Sequence, residues 1–197
     1  MNIKAQLDIL YPILNEISLL SLTDWEEITP YFKTKTLKKG EHLFYMEDDV
    51  KDFYFLIDGL ARYYYLTEDG KEFNKSFAEK KGHLLSSISS VTYGTGSPFS
   101  VEVLSDFTTL YIPYKKLLDL ADTNKNWKNL LLRIYENLVI KKEKREADFL
   151  LLNARERYEK FLEDYSMIED AVQNYHIASY LGITDVALSR IRKEMKN

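Results

Sequence analysis

A chain of 197 residues, 45% hydrophobic and 14% aromatic, has enough apolar mass for one large domain or two small ones and is not disordered in composition. It contains no cysteine, which rules out disulfides, thiolate catalysis, Cys-ligated iron–sulfur clusters and Cys-based zinc sites together. The net charge of −4 argues against coating nucleic acid through bulk charge, but the acid is concentrated early: residues 1–125 hold 14 Lys and Arg against 19 Asp and Glu, and residues 126–197 hold 13 against 12.

The opening MNIKAQLDIL carries charges and lacks a signal-peptide apolar core, and no apolar run reaches bilayer length, so the expected location is cytoplasmic, away from membranes. Residues 2–30 read as helical: Ile3, Leu7, Leu10, Ile13, Leu14 and Ile17 recur at helical spacing, and Thr23-Asp24-Trp25-Glu26 has the form of a capping box. From Phe32 to about Ile112 the period changes to short apolar or alternating segments: TKTL, KKGEHLFYM, FYFLI, LARYYYL, EFNKSF, FSVEVL and TTLYI. Asp58-Gly59 and Asp69-Gly70 stand between some of these as hairpin turns. Seven or so short strands without a long helix among them predict a small antiparallel sandwich or jelly roll.

After Pro113 a helical pattern resumes at YKKLLDLA. From about Asn126 to Leu152 there is no Gly or Pro, and Trp127, Leu131, Ile134 and Leu138 recur at alternating spacings of four and three, as in a coiled-coil seam. Two readings stay open for this stripe: a homodimer interface, or a helix packed on its own β-domain. The charged run KKEKRE at 141–146 makes the seam short or interrupted. ARERYEKFLEDY then predicts a further amphipathic helix.

The C-terminal stretch IASYLGITDVALSRIRKEM has the spacing of a helix-turn-helix. Ile177, Ala178 and Leu181 form a short apolar face ending at Gly182, the residue best suited to a left-handed helix C-terminus. Thr184 can N-cap a second helix that buries Leu188 and Ile191 and turns Asp185, Val186, Ser189, Arg190 and Lys193 outward. An ordinary helical hairpin has the same spacing and is the alternative. Residues 185–197 nevertheless carry four basic side chains against two acidic ones.

Helical lead, β-sandwich, long helix and C-terminal helix-turn-helix, in that order, resemble the Crp/Fnr family of bacterial transcription regulators over essentially the whole chain. The residues that carry the resemblance are LKKGEHLF, DFYFLIDGLARYYY, ARERYEKFLEDY and HIASYLGITDVALSRIRK, and the last two look like the branch common in Bacteroidetes. The resemblance implies an α+β fold. Residues 1–125 would form a cyclic-nucleotide-binding-type antiparallel β-roll, jelly-roll-like with flanking helices, 126–152 a dimerisation helix, and 153–197 a DNA-binding domain. It implies a homodimer on double-stranded DNA with an inverted-repeat operator, with RNA polymerase as a further partner and an effector of unknown identity or none. Bases would be read by Asp185, Val186 and Arg190, with Thr184, Ser189, Arg192 and Lys193 at the groove edge or on phosphates. Trp127, Leu131, Ile134 and Leu138 would hold the dimer.

In nucleotide-binding members a Gly-Glu pair opens a short helix and an Arg-Ser or Arg-Thr pair starts the next strand. The corresponding stretches look like Gly82-His83 and Phe99-Ser100, so neither a ribose acceptor nor a phosphate cation is in place and cAMP or cGMP is not expected. The effector region, if used, would take a neutral or aromatic molecule near Tyr63, Tyr65, Tyr93 and Phe99. No metal or other cofactor is expected, because His42, His83 and His176 are isolated and lack the H-x-H pattern of a cupin-type metalloenzyme. The expectation is a regulator and not an enzyme. The alternative is a ligand-sensing or scaffold dimer that has lost DNA binding.

Overall fold

The computed structural model describes residues 1–165 and 168–196. Helix α1 (Ile3–Ser18) is capped by Asn2, whose side chain accepts the Ala5 N–H, and it buries Leu10 and Leu14 one turn apart. Helix α2 (Leu22–Ile28) is opened by a capping box, but of Ser21 with Asp24, two residues before the one expected at Thr23. The physical reason is that Asp24 is held inward. Its carboxylate accepts from the Ser21 N–H at 2.9 Å and from the side chains of Asn124 at 2.5 Å and Asn126 at 2.9 Å. Burial alone would raise the Asp24 pKa, yet these donors bring it down to about 2.

A single 3-10 turn (Thr29–Tyr31) leads into the strands β1 (Lys33–Leu37), β2 (His42–Phe44), β3 (Asp52–Asp58), β4 (Ala61–Leu66), β5 (Glu72–Ala78) and β6 (Leu84–Leu85). A short helix α3 (Ile88–Tyr93) precedes β7 (Ser100–Val103) and β8 (Phe107–Pro113). The strands form two antiparallel sheets in the orders β1-β8-β3-β6 and β2-β7-β4-β5. The strand absent from the sequence reading is β6, whose two residues are too few to display alternation.

Strand β3 explains how the layers stack. Phe53, Phe55 and Ile57 point to one side, into a core shared with α1, α2 and the later helices, while Leu56 points to the other, into the space between the sheets. Gly59 is required at the turn after β3: its φ is 105°, and a Cβ there would lie 2.5 Å from the Asp106 carbonyl oxygen.

Three further α-helices and a C-terminal helix pair complete the path among the described residues. Helix α4 (Tyr114–Thr123) runs back to α5 (Lys125–Leu151), and α6 (Ala154–Asp164) is opened by a capping box of Asn153 and Glu156. Helices α7 (Asn174–Leu181) and α8 (Asp185–Met195) follow. The C-terminal helices share a third core with the β-roll through Phe77 of β5, whose ring lies 5.6 Å from both Tyr165 and Tyr180 and 6.2 Å from Phe161. No described helix is long and apolar enough to cross a membrane.

Candidate nucleic-acid interface and effector site

The turn between α7 and α8 is built as the residue types require. Gly182 takes φ 69° and the next N–H, of Ile183, returns to the Ala178 carbonyl at 3.0 Å. A Cβ at Gly182 would lie 2.9 Å from the far edge of the half-exposed Phe149 ring of α5, so the positive φ, more than this contact, calls for glycine. The Thr184 hydroxyl accepts the Ala187 N–H and starts α8. Leu188 and Ile191 are buried in one cluster with Ile177, Ala178 and Leu181, which fixes the crossing of the two helices. Thr184, Asp185, Val186, Ser189, Arg190 and Lys193 all lie on the exposed side of α8. Val186 is 80% exposed, unusual for a β-branched apolar residue with nothing to cover it. The Arg190 guanidinium is 75% exposed and its nearest carboxylate, Glu194, is 3.9 Å away, a pair too weak and too solvated to hold it back from a partner.

Arg192 departs from the expected role at the groove edge. Its Nε donates to the Tyr158 hydroxyl at 2.9 Å, one terminal nitrogen donates to Asn174 at 2.5 Å, and Glu169 lies 3.3 Å away. Only 21% of the side chain is exposed. It ties α8 to α6 and α7 from beneath.

Helix α5 corrects the dimer assignment in a similar way. Trp127, Leu131 and Ile134 are buried in the chain's own core with α1, α4 and the β-roll, and Leu138 packs against that core. The stripe that faces outward is one residue on: Leu132 and Val139, each 54% exposed, with Ile140 beside them and Phe149, Leu150 and Leu151 at the helix end. Leu132 and Val139 are a heptad apart, which was available from the sequence but hidden behind the denser stripe next to it.

The effector region is largely filled. Tyr63 of β4 is buried and its hydroxyl donates to the Leu84 carbonyl at 2.9 Å. Phe99 is also buried, 5.8 Å from the Tyr63 ring and 5.9 Å from Phe44, with the half-exposed Tyr65 edge-on at 6.2 Å. The Ser100 hydroxyl accepts the Met46 N–H at 2.9 Å and is occupied. Tyr93 is not part of this group: at the end of α3 it is 80% exposed. Gly82, with φ 78°, serves a turn that α1 crosses closely, since a Cβ there would lie 2.5 Å from Ile13.

The short helix of this region, α3, is preceded by Ser86 and Ser87, so Gly82-His83 is not the pair that opens it; that pair lies upstream of β6. Neither serine supplies a carboxylate, and Phe99 still stands at the start of β7. The residues present therefore do not fit a cyclic nucleotide. A cation does reach the region from β5, the EFNKSF strand, which the sequence did not connect with it: the Lys75 ammonium sits 3.8 Å above the Phe99 ring.

The outer face of the second sheet carries a further arrangement with no sequence signal, because its partners lie from ten to about a hundred residues apart. Arg62 is buried between Glu72 and Glu102, both at 2.6 Å, and donates to Asn74. Asn74 donates to the His176 carbonyl at 2.8 Å, and its own N–H donates to the Ser179 hydroxyl at 2.9 Å. Burial and the nearby Arg62 push the His176 pKa down to about 4, leaving the imidazole neutral within this contact. Helix α7 is thus docked on the β-roll through satisfied polar groups.

The cyclic nucleotide-binding domain family matches residues 34–124. The chain is 23% identical over 194 residues to the lactate racemization regulatory protein of Lactiplantibacillus plantarum, covering 89% of this chain and 87% of that one. It is 26% identical over 176 residues to the fumarate and nitrate reduction regulatory protein of Vibrio cholerae, covering 81% and 67%. Among solved structures, FixK2 of Bradyrhizobium japonicum superposes with a TM-score of 0.71 at 18% identity over 84% of each chain. The catabolite activator protein of Thermus thermophilus gives 0.56 at 17% identity over 90% and 84%. Residues 34–124 thus match the cyclic nucleotide-binding domain, and in its order of elements the chain is similar, over most of its length, to regulators of the Crp/Fnr type.

Proposed function

We propose that the protein is a homodimeric regulator that binds double-stranded DNA sequence-specifically, with residues 1–125 as sensor, 126–152 as connecting and pairing helix, and 153–197 as reading head. The observation that carries this reading is the outer face of α8. Val186 and Arg190 are fully presented on a helix whose inner face is locked by Leu188, Ile191 and Arg192. A rigidly seated helix with exposed, unspent side chains in its first two turns has the form needed to enter a major groove. Arg190 would pair with guanine N7 and O6, Val186 would touch a thymine methyl, and Asp185 would accept from a cytosine amine. Lys193 and the hydroxyls of Thr184 and Ser189 suit phosphate contacts.

Pairing through Leu132 and Val139 of two copies would place two such heads on one side of the duplex, about 34 Å apart, and the operator would be an inverted repeat. The test begins with selection of genomic duplex fragments on the purified chain, followed by binding to single-base variants of the selected site. Arg190→Ala is expected to lose about 1–3 kcal/mol of discrimination at one base pair per half-site, and Lys193→Ala to weaken all duplexes alike. Absence of any sequence-specific duplex binding would leave the scaffold reading in its place.

A further inference from the structure

Strand β5 is the edge of its sheet, and an edge strand presents backbone N–H and C=O groups with no further strand to pair them. Helix α7 takes the place of the missing strand. The Ser179 hydroxyl accepts the Asn74 N–H at 2.9 Å and donates to the Glu72 carbonyl at 3.2 Å, so one side chain occupies both groups. One turn earlier on the same face of α7, the His176 carbonyl accepts from the Asn74 side-chain amide at 2.8 Å. The direction of that amide is fixed from behind. Arg62 can only donate; its side chain is 4% exposed, held by Glu72 and Glu102 and stacked 4.1 Å from the Tyr64 ring centre, and it donates to the Asn74 Oδ1 at 2.9 Å. The Asn74 Nδ2 is therefore turned toward α7, where the neutral His176 ring offers its Nδ1 at 3.2 Å as a second acceptor.

We propose, resting on the dimeric DNA-binding reading above, that Asn74, oriented by Arg62 and joined to Ser179, is a positioning residue that sets the angle of the reading helix from the β-roll without touching DNA. Two kinds of contact hold α7 to the roll, and they act differently. The rings of Phe161, Tyr165 and Tyr180, 5.6–6.2 Å from Phe77, supply apolar adhesion, which has no preferred direction. The hydrogen bonds at 176 and 179 are directional and fix the rotation of α7 about that cluster. Leu188 and Ile191 lock α8 to α7, so a rotation of α7 carries α8 with it. In a dimer, one head can find a half-site at any angle relative to its roll. The second is captured readily only if it already points at its own half-site, so a loosened joint lowers its effective concentration.

The test uses the full chain and the near-isosteric Asn74→Asp, which keeps the acceptor for Arg62 and replaces the donor facing α7 by an acceptor. Affinity for the inverted-repeat duplex should fall about tenfold, while affinity for a duplex with a single half-site should stay within about twofold of wild type. Ser179→Ala, which a helix accepts readily, should show the same split to a smaller degree and carries the test if Asn74→Asp does not fold. Lys71→Gln, exposed near the hairpin tip, should show none. A second arm needs no DNA. Because the chain has no cysteine, spin labels on Val186→Cys and Tyr93→Cys, both 80% exposed, report the distance from α8 to the β-roll in a sample diluted with unlabelled chain. The distance distribution should be narrow with the joint intact and broadened or shifted in both joint variants. Equal loss at both duplexes, no loss at either, or an unchanged label distribution would overturn the proposal. A wild-type chain that binds no duplex specifically would refute the DNA-binding reading itself, and the label distances then still decide whether Asn74 holds the helix pair.

Discussion

Arg190 and Arg192 are two residues apart on one helix and face opposite ways. Sequence composition treats them alike, yet Arg192 stands one turn after the buried Leu188 and so shares its face, a relation that helical spacing alone could have disclosed. Arg192→Ala would remove donors to Tyr158 and Asn174 and leave Glu169 without its ion pair. A loss of about 2–3 kcal/mol in folding stability is expected, with a lower melting temperature, whereas Arg190→Ala should leave the melting temperature unchanged. Lys75 gives a pH signature. Its pKa of about 8 in the fold lies below the unfolded value of 10.5, so between those values the unfolded chain binds more protons and stability rises with pH. Below about pH 8 the charged, repelled form persists and that contribution is absent. Denaturant titrations from pH 7.5 to 10 should show this rise in the wild type and a flatter profile in Lys75→Met.

At the scale of elements, α5 shows why part of the architecture was legible and part was not. Its length and its freedom from Gly and Pro are local properties, and the sequence displays them. Which of two adjacent apolar stripes faces the rest of the chain is a tertiary matter: Trp127, Leu131 and Ile134 turn to the β-roll, and Leu132 and Val139 are left exposed. The strands from β1 to β5 were legible through alternation and Asp-Gly turns, but β6 was too short, and with it the start of α3 was misplaced. The Gly182 turn and the Thr184 cap, which depend only on neighbours in sequence, were read directly. The pairing account predicts opposite outcomes for two neighbouring substitutions. Leu132→Asp combined with Val139→Asp should give a folded monomer by light scattering, with a melting temperature near that of the wild-type protomer. Leu131→Asp should instead destabilise the fold by about 3 kcal/mol or more, through a charge forced into the core.

At the scale of the whole molecule, the C-terminal helix pair is not a free appendage. Phe77 packs among Phe161, Tyr165 and Tyr180, and Asn74 bonds α7 at two places, so β5 sets the orientation of α8. In the proposed dimer, with each head held at a fixed angle and two copies paired along α5, DNA would be met only at one separation of half-sites. The most direct measurement is equilibrium binding of the purified protein to its selected inverted-repeat duplex and to the same duplex with half a helical turn, about 5 base pairs, inserted between the half-sites. The account predicts that the insertion reduces affinity to the level of unrelated DNA, because the second head is rotated to the wrong side of the helix. Equal affinity for the two duplexes would contradict it.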